Sequence, residues 1–90
     1  MNDTHPKRIE TTRYQELPEE NELMIVDETN AKVRVLNAVA GGVWLLCNGK
    51  RGSREISELL GDLFPETDLK EIRARIDSIL EFLRAEGLVE

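Results

Sequence analysis

Between Lys32 and Gly49 the chain reads Lys-Val-Arg-Val-Leu-Asn and then, without a break, Ala-Val-Ala-Gly-Gly-Val-Trp-Leu-Leu-Cys-Asn-Gly. The first half alternates basic and apolar side chains, which is the period of a β-strand. In the second half Val39, Val43, Leu46 and Cys47 recur at helical spacing. A strand therefore hands directly to a helix, with no residues left over for a loop. Asn37 stands at the join, where its side-chain oxygen can accept the backbone N–H of Val39 or Ala40 and cap the helix. Gly49 supplies the left-handed conformation expected to end that helix. The residues before Lys32 must complete the sheet to which this strand belongs, and those after Gly49 must pack on it.

Upstream, residues 1–9 are polar and include Pro6, and they are expected to form a flexible N-terminal tail before one domain over residues 10–90. Thr11, Thr12 and Tyr14 favour a first strand over Glu10 to Leu17. Pro18-Glu19-Glu20-Asn21 is a turn, because Pro presets φ and Asn tolerates a reversed backbone. Glu22 to Asp27 is a second strand whose four consecutive apolar residues imply cover on both faces or a partly shielded outer face. Glu28-Thr29-Asn30 turns the chain into the third strand, Lys32 to Leu36, with Val33 and Val35 on one face and Lys32 and Arg34 on the other.

Downstream, Gly41-Gly42 lies inside the first helix, where each Gly costs about 0.5–1 kcal/mol relative to Ala. The pair either lets another backbone approach or is a tolerated weakness. Ser53 is expected to cap a second helix with Ile56, Leu59, Leu60 and Leu63 as its apolar stripe, closed by Phe64-Pro65. Asp68-Leu69-Lys70-Glu71 has the spacing of a capping box and opens a long helix to about Glu86. Its stripe is Leu69, Ile72, Ile76, Ile79, Leu80 and Leu83; Gly87 ends it and Leu88 folds back on the last turn. Strands followed by helices imply an α+β layout, with the bundle on one face of an antiparallel sheet.

Ninety residues make one small domain with a modest core. Twelve Lys and Arg against eighteen Asp and Glu leave a net charge of −6, which disfavours broad nucleic-acid binding driven by counterion release. One cysteine excludes an internal disulfide. No apolar run approaches the roughly 20 residues that span a bilayer, and the polar start lacks a signal-peptide core, so the cytoplasm is the expected location.

The residues of catalysis are largely missing. His5 is the only histidine and falls in the expected tail, so neither a His-based catalytic pair nor a multi-His metal site can be assembled. Cys47 lies on an apolar helix side with no activating His and reads as a buried, inert thiol. Glu55, Glu58, Asp62, Glu71, Asp77 and Glu81 read as solvated surface. Gly49-Lys50-Arg51-Gly52-Ser53 precedes a helix but lacks P-loop spacing. No metal or cofactor site is expected, and the chain is not expected to be an enzyme. Binding remains. If Lys32–Leu36 is an edge strand, its free backbone groups are a template for an added peptide strand. Otherwise the first strand, or a homodimer partner, covers that edge.

Val35-Leu36-Asn37 running into the helix, Trp44-Leu45-Leu46 before Cys47-Asn48-Gly49, Glu55-Ile56 with Leu59-Leu60, and the ending Phe82-Leu83-Arg84-Ala85-Glu86-Gly87-Leu88-Val89 together resemble the PqqD family. That family comprises small proteins named for pyrroloquinoline quinone biosynthesis, whose fold recurs as the RiPP recognition element. The resemblance implies a winged helix-turn-helix-like fold, a three-stranded antiparallel sheet followed by a three-helix bundle. It also implies a non-catalytic role: binding the leader segment of a precursor peptide as an added strand, in a groove between the third strand and third helix. The peptide is then presented to a modifying enzyme, often a radical SAM protein. The segment before Leu23 does not strongly resemble members dedicated to pyrroloquinoline quinone, so the broader class is expected.

On this chain the groove edge would be Lys32, Val33, Arg34 and Val35, with Leu36, Ile72 and Ile76 shared between core and groove floor. Of the two flanks of the long helix, Arg73, Asp77, Leu80 and Arg84 are favoured over Arg75, Ile79, Phe82 and Glu86. Leu80 would hold an apolar leader side chain, and Arg73 and Arg84 acidic ones. The basic groups Lys32, Arg34 and Arg73 suggest an acidic leader. The alternative is a winged-helix DNA-binding transcriptional regulator, disfavoured because the helices mix Asp and Glu freely with Lys and Arg.

Overall fold

The computed structural model describes residues 5–90, with only the backbone of Leu69. Three strands, β1 (Thr12–Leu17), β2 (Glu22–Asp27) and β3 (Lys32–Asn37), precede three helices, α1 (Ala38–Leu46), α2 (Ser53–Leu63) and α3 (Leu69–Ala85). The sheet is antiparallel in the order β1-β2-β3, so β3 is an edge. Both hairpin turns use a left-handed residue before the returning strand, Asn21 at φ 56° and Ala31 at φ 52°. Asn21 takes the reversed role expected of it. In the second turn Asn30 instead gives its amide to Asp27, and Ala31 takes the strained position.

The strand-to-helix junction forms as the sequence predicts. Asn37 has extended backbone angles, and its side-chain oxygen accepts the N–H of Ala40 at 2.9 Å. α1 then lies between the sheet, through β2 and β3, and the α2–α3 pair. This central place explains a helix with no polar side chain, because such a helix must be covered on most sides. Gly41 permits the approach: a Cβ there would stand 3.0 Å from the Cβ of Leu23 on β2. Close approach, and not tolerated weakness, accounts for that glycine.

Trp44 of α1 is the largest buried side chain. Its indole N–H donates to the carbonyl of Leu88 at 3.1 Å, and Tyr14 meets its ring edge-on at 5.7 Å. Ile25, Leu36, Val43, Ile56, Leu60, Ile76, Leu83 and Leu88 complete the core. α3 ends in a Schellman arrangement: Leu88 N–H bonds to Leu83 and Gly87 N–H to Arg84, with Gly87 at φ 71°.

Four expectations are corrected. Ser53 is the first residue of α2, not its cap; Gly52 precedes it, and the Ser53 carbonyl accepts the Ser57 hydroxyl at 2.8 Å. α1 ends at Leu46, capped by the Cys47 N–H on Trp44, so Gly49 (φ 82°) does not end the helix. It turns the chain so that its N–H reaches the Pro6 carbonyl at 2.9 Å. Leu63 leaves the core, 61% exposed, because it is the last residue of α2 and has no element above it. Finally, the tail expected over residues 1–9 lies outside the described residues at 1–4, but from Pro6 onward it is packed. Pro6 is buried, Lys7 bridges to Asn48, and Arg8 bridges to Val89 with its guanidinium 5.5 Å from the Trp44 ring centre. A cation over a desolvated indole, with backbone pairing on both sides, is enough to hold this short segment.

Candidate groove between the edge strand and the last helix

The register of the hairpin sets which side chains of β3 face where. Leu36 pairs with Leu23, Arg34 with Ile25, and Lys32 with Asp27, which places all three on the inner face. Val33 and Val35, opposite Val26 and Met24, stand on the outer face, 54% and 51% exposed. The valines are thus turned out and the basic residues turned in, toward the helices.

The turn that presents β3 is built on Asp27. Its carboxylate accepts the Thr11 hydroxyl at 2.8 Å and the Asn30 side-chain amide at 2.7 Å, with the Asn30 N–H at 3.2 Å. The Asn30 side chain does most to hold this carboxyl below its ordinary value; Thr11, the Asn30 backbone and Lys32 act in the same direction, against burial, which raises it. A satisfied buried carboxylate fixes the corner from which β3 sets out.

No Cα of β3 comes within 8 Å of a Cα of α3 among the described residues. The edge of β3 is therefore not covered by the helix backbone. Two side chains of β3 reach the C-terminal end of α3. Lys32 Nζ donates to the Glu86 carbonyl at 2.8 Å, and Arg34 Nε donates to the Glu86 carboxylate at 2.5 Å. Gly87 makes room for this, since a Cβ there would stand 2.5 Å from Lys32 Nζ. Among the helices, Val39 of α1 and Ile79 of α3 are half-buried and line a small hollow with Leu60 and Phe64 at the end of α2 and with Ile72 and Arg75, while Phe82 is 48% exposed. Lys32 and Arg34 thus set a polar, cationic rim beside the edge of β3, while the apolar hollow opens among the three helices.

The predicted edge residues Lys32, Val33, Arg34, Val35 and Leu36 all lie on this strand, and Ile72 and Ile76 are buried beneath the helix. The favoured flank of α3 is not brought to β3. Arg73 reaches Glu58 of α2 at 3.9 Å, and Asp77 lines the α2–α3 side with Ser53 and Ser57. Leu80 is 3% exposed and belongs to the core. The Arg84 charge acts on Cys47, at the far end of α1. Of the other flank, Glu86 is linked to β3 through Lys32 and Arg34, while Arg75 and Ile79 line the hollow with Val39. The sequence held one signal for this: Phe82 is an aromatic off the buried stripe, next to the Glu that answers Lys32 and Arg34.

Cys47 is buried, and burial pushes its thiol up to about 11 despite the nearby cations Arg8 and Arg84. Its Sγ–H donates to the Val43 carbonyl at 3.1 Å. Among the described residues no group of three or more His, Cys, Asp or Glu is placed to hold a metal ion, and no helix is long and apolar enough to cross a membrane.

Residues 22–89 match the family profile described as "Coenzyme PQQ synthesis protein D (PqqD)". No curated protein sequence matches the chain significantly. Among solved structures, a chain described as "TbiB1 in Complex with the TbiA(beta) Leader Peptide" is similar at a TM-score of 0.73 and 17% sequence identity. The match covers 93% of this chain and 94% of that one, and it is a likeness of fold: three antiparallel strands, then three helices.

Proposed function

The chain belongs to the PqqD family, and from that premise we propose that it is a non-catalytic peptide-binding module. It captures the leader segment of a ribosomally made precursor peptide as a fourth strand on β3 and presents it to a modifying enzyme such as a radical SAM protein. The observation that carries the reading is the edge of β3, unpaired and with no Cα of α3 within 8 Å among the described residues. The structural relative in complex with a leader peptide supports the same reading. An added strand gains affinity from main-chain hydrogen bonds and specificity from pockets that read alternate side chains.

The register gives the ligand a pattern. Leader side chains beside Lys32 and Arg34 face the cleft, where carboxylates would compete with Glu86 for the two cations. Those beside Val33 and Val35 face outward and extend an apolar strip with Met24 and Val26. Deeper in the cleft, Ile79 and Phe82 favour an apolar leader residue. Arg73, Asp77, Leu80 and Arg84 have no direct part in this binding. A thiol as weakly acidic and as buried as Cys47 is a poor nucleophile, consistent with a role in binding alone. The module works in the cytoplasm, where precursor and enzyme are made.

Calorimetry tests this with the leader segment of any short peptide encoded beside the gene, and with duplex DNA as the control. A strand-addition complex loses less than about tenfold in affinity on raising salt. A DNA complex with six to ten phosphate contacts loses about 10³–10⁵ between about 50 and about 200 mM. Binding of DNA with that steep dependence, and none of the leader, would replace this reading with the regulator one.

A further inference from the structure

α1 has two open sides. One, through Val39, lines the small hollow shared with α2 and α3. The other, formed by Ala38, Gly42 and Leu45, lines an open hollow of about 410 Å³ between the β1–β2 turn and the end of α2. Leu63 and Phe64 form its far wall. Leu63 carries on the apolar stripe of α2 yet stands 61% exposed here, and α1 offers no charged side chain to this side or any other. An apolar helix flank beside an exposed leucine is a surface that gains by being covered.

The charge around the hollow has one sign. Glu16 and Glu22 line it, and Glu19 and Glu20 stand on the turn beside it. No Lys or Arg lines it, and among the described residues none of these four carboxylates is paired with a cation. A second copy of this chain would bring four more carboxylates against these, and an acidic leader would be repelled in the same way. Complementarity selects a basic occupant with an apolar face.

We propose that this hollow docks a basic amphipathic segment of the modifying enzyme, with two or three apolar side chains on α1, Leu63 and Phe64 and flanking Lys or Arg on the glutamate rim. The identity of that partner rests on the leader-binding function proposed above; the chemistry of the site does not. Because no residue of β3 lines the hollow, enzyme and leader strand can be held at once, which presentation requires.

The probe is a designed amphipathic helix of leucines and lysines, with a leucine–glutamate counterpart, titrated into isotope-labelled full-length chain. The lysine peptide is expected to shift amides of Ala38, Gly42, Leu45, Leu63 and Glu16–Glu22, leaving Lys32–Leu36 unmoved. The glutamate peptide is expected to leave all of them in place. The double variant Glu19→Lys, Glu22→Lys should weaken binding about tenfold or more, and Leu63→Asp, at a residue already exposed, should weaken it without unfolding. Three results overturn the proposal: shifts scattered over all acidic surfaces, equal binding of both peptides, or the same shifts appearing on concentration alone, which would assign the hollow to a second copy. Adding the leader segment to the same samples separates the two claims. Leader shifts on β3 without lysine-peptide shifts in the hollow reject the docking site alone. The converse rejects leader capture and leaves the docking chemistry standing.

Discussion

Asp27 and Gly41 are small side-chain choices that decide where β3 and α1 sit. Asp27 is held below its ordinary pKa, chiefly by the Asn30 amide, so its ionised form stabilises the fold. That contribution is present above the unfolded value, near 3.8, and is lost as pH falls through the lower folded value. Asn30→Ala should therefore lower the urea midpoint at about pH 7, and the gap from the parent should narrow by about pH 3. An equal gap at both would break the link between Asn30 and the Asp27 carboxylate. At Gly41, helix propensity and packing disagree in sign. Propensity alone predicts that Ala gains about 0.5–1 kcal/mol. A Cβ 3.0 Å from Leu23 Cβ, an atom fixed to the strand backbone, predicts overpacking instead. Gly41→Ala should cost about 1–3 kcal/mol in denaturant unfolding. The sequence left both readings of this glycine open, because neither propensity nor periodicity says how close the neighbouring strand lies.

At the scale of elements, β3 and α3 frame the proposed groove, and the sequence speaks to each at a different depth. The strand, its edge residues and its passage into α1 were legible because alternation, an Asn cap and a missing loop all agree. The inner stripe of α3 was legible from its period, and Ile72, Ile76 and Leu83 are indeed buried. The flank was not. Periodicity fixes the centre of a stripe, but the side turned to β3 depends on how α3 crosses α1, a property of packing. Leu80, favoured as a groove residue, is taken up by the core, and Arg73 by Glu58. The consequence is measurable by calorimetry. Phe82→Ala should weaken leader binding about tenfold, the loss of one half-exposed aromatic anchor. Arg73→Glu should leave it unchanged, since an exposed pair at 3.9 Å contributes little. Loss on Arg73→Glu with none on Phe82→Ala would return the binding surface to the other flank.

Seen as a whole molecule, the chain spreads its net charge of −6 unevenly. Lys32 and Arg34 place cations beside the edge of β3, while the β1–β2 turn gathers glutamates that pair with no cation among the described residues. Composition gave the sign of the total and nothing of this division. It also missed the packing of Pro6 to Ile9, because a short polar segment reads as tail until Trp44 and the last residues of the chain are known to lie beside it. The central claim is that β3 takes on a fourth strand. Amide hydrogen exchange of the isotope-labelled chain, with and without the leader segment, reads this directly. Strand addition predicts that alternate amides of Lys32–Asn37, those pointing away from β2, become protected, while Thr12–Leu17 at the opposite edge exchanges as before. Leader binding that protects Thr12–Leu17, or leaves every β3 amide unchanged, would contradict it.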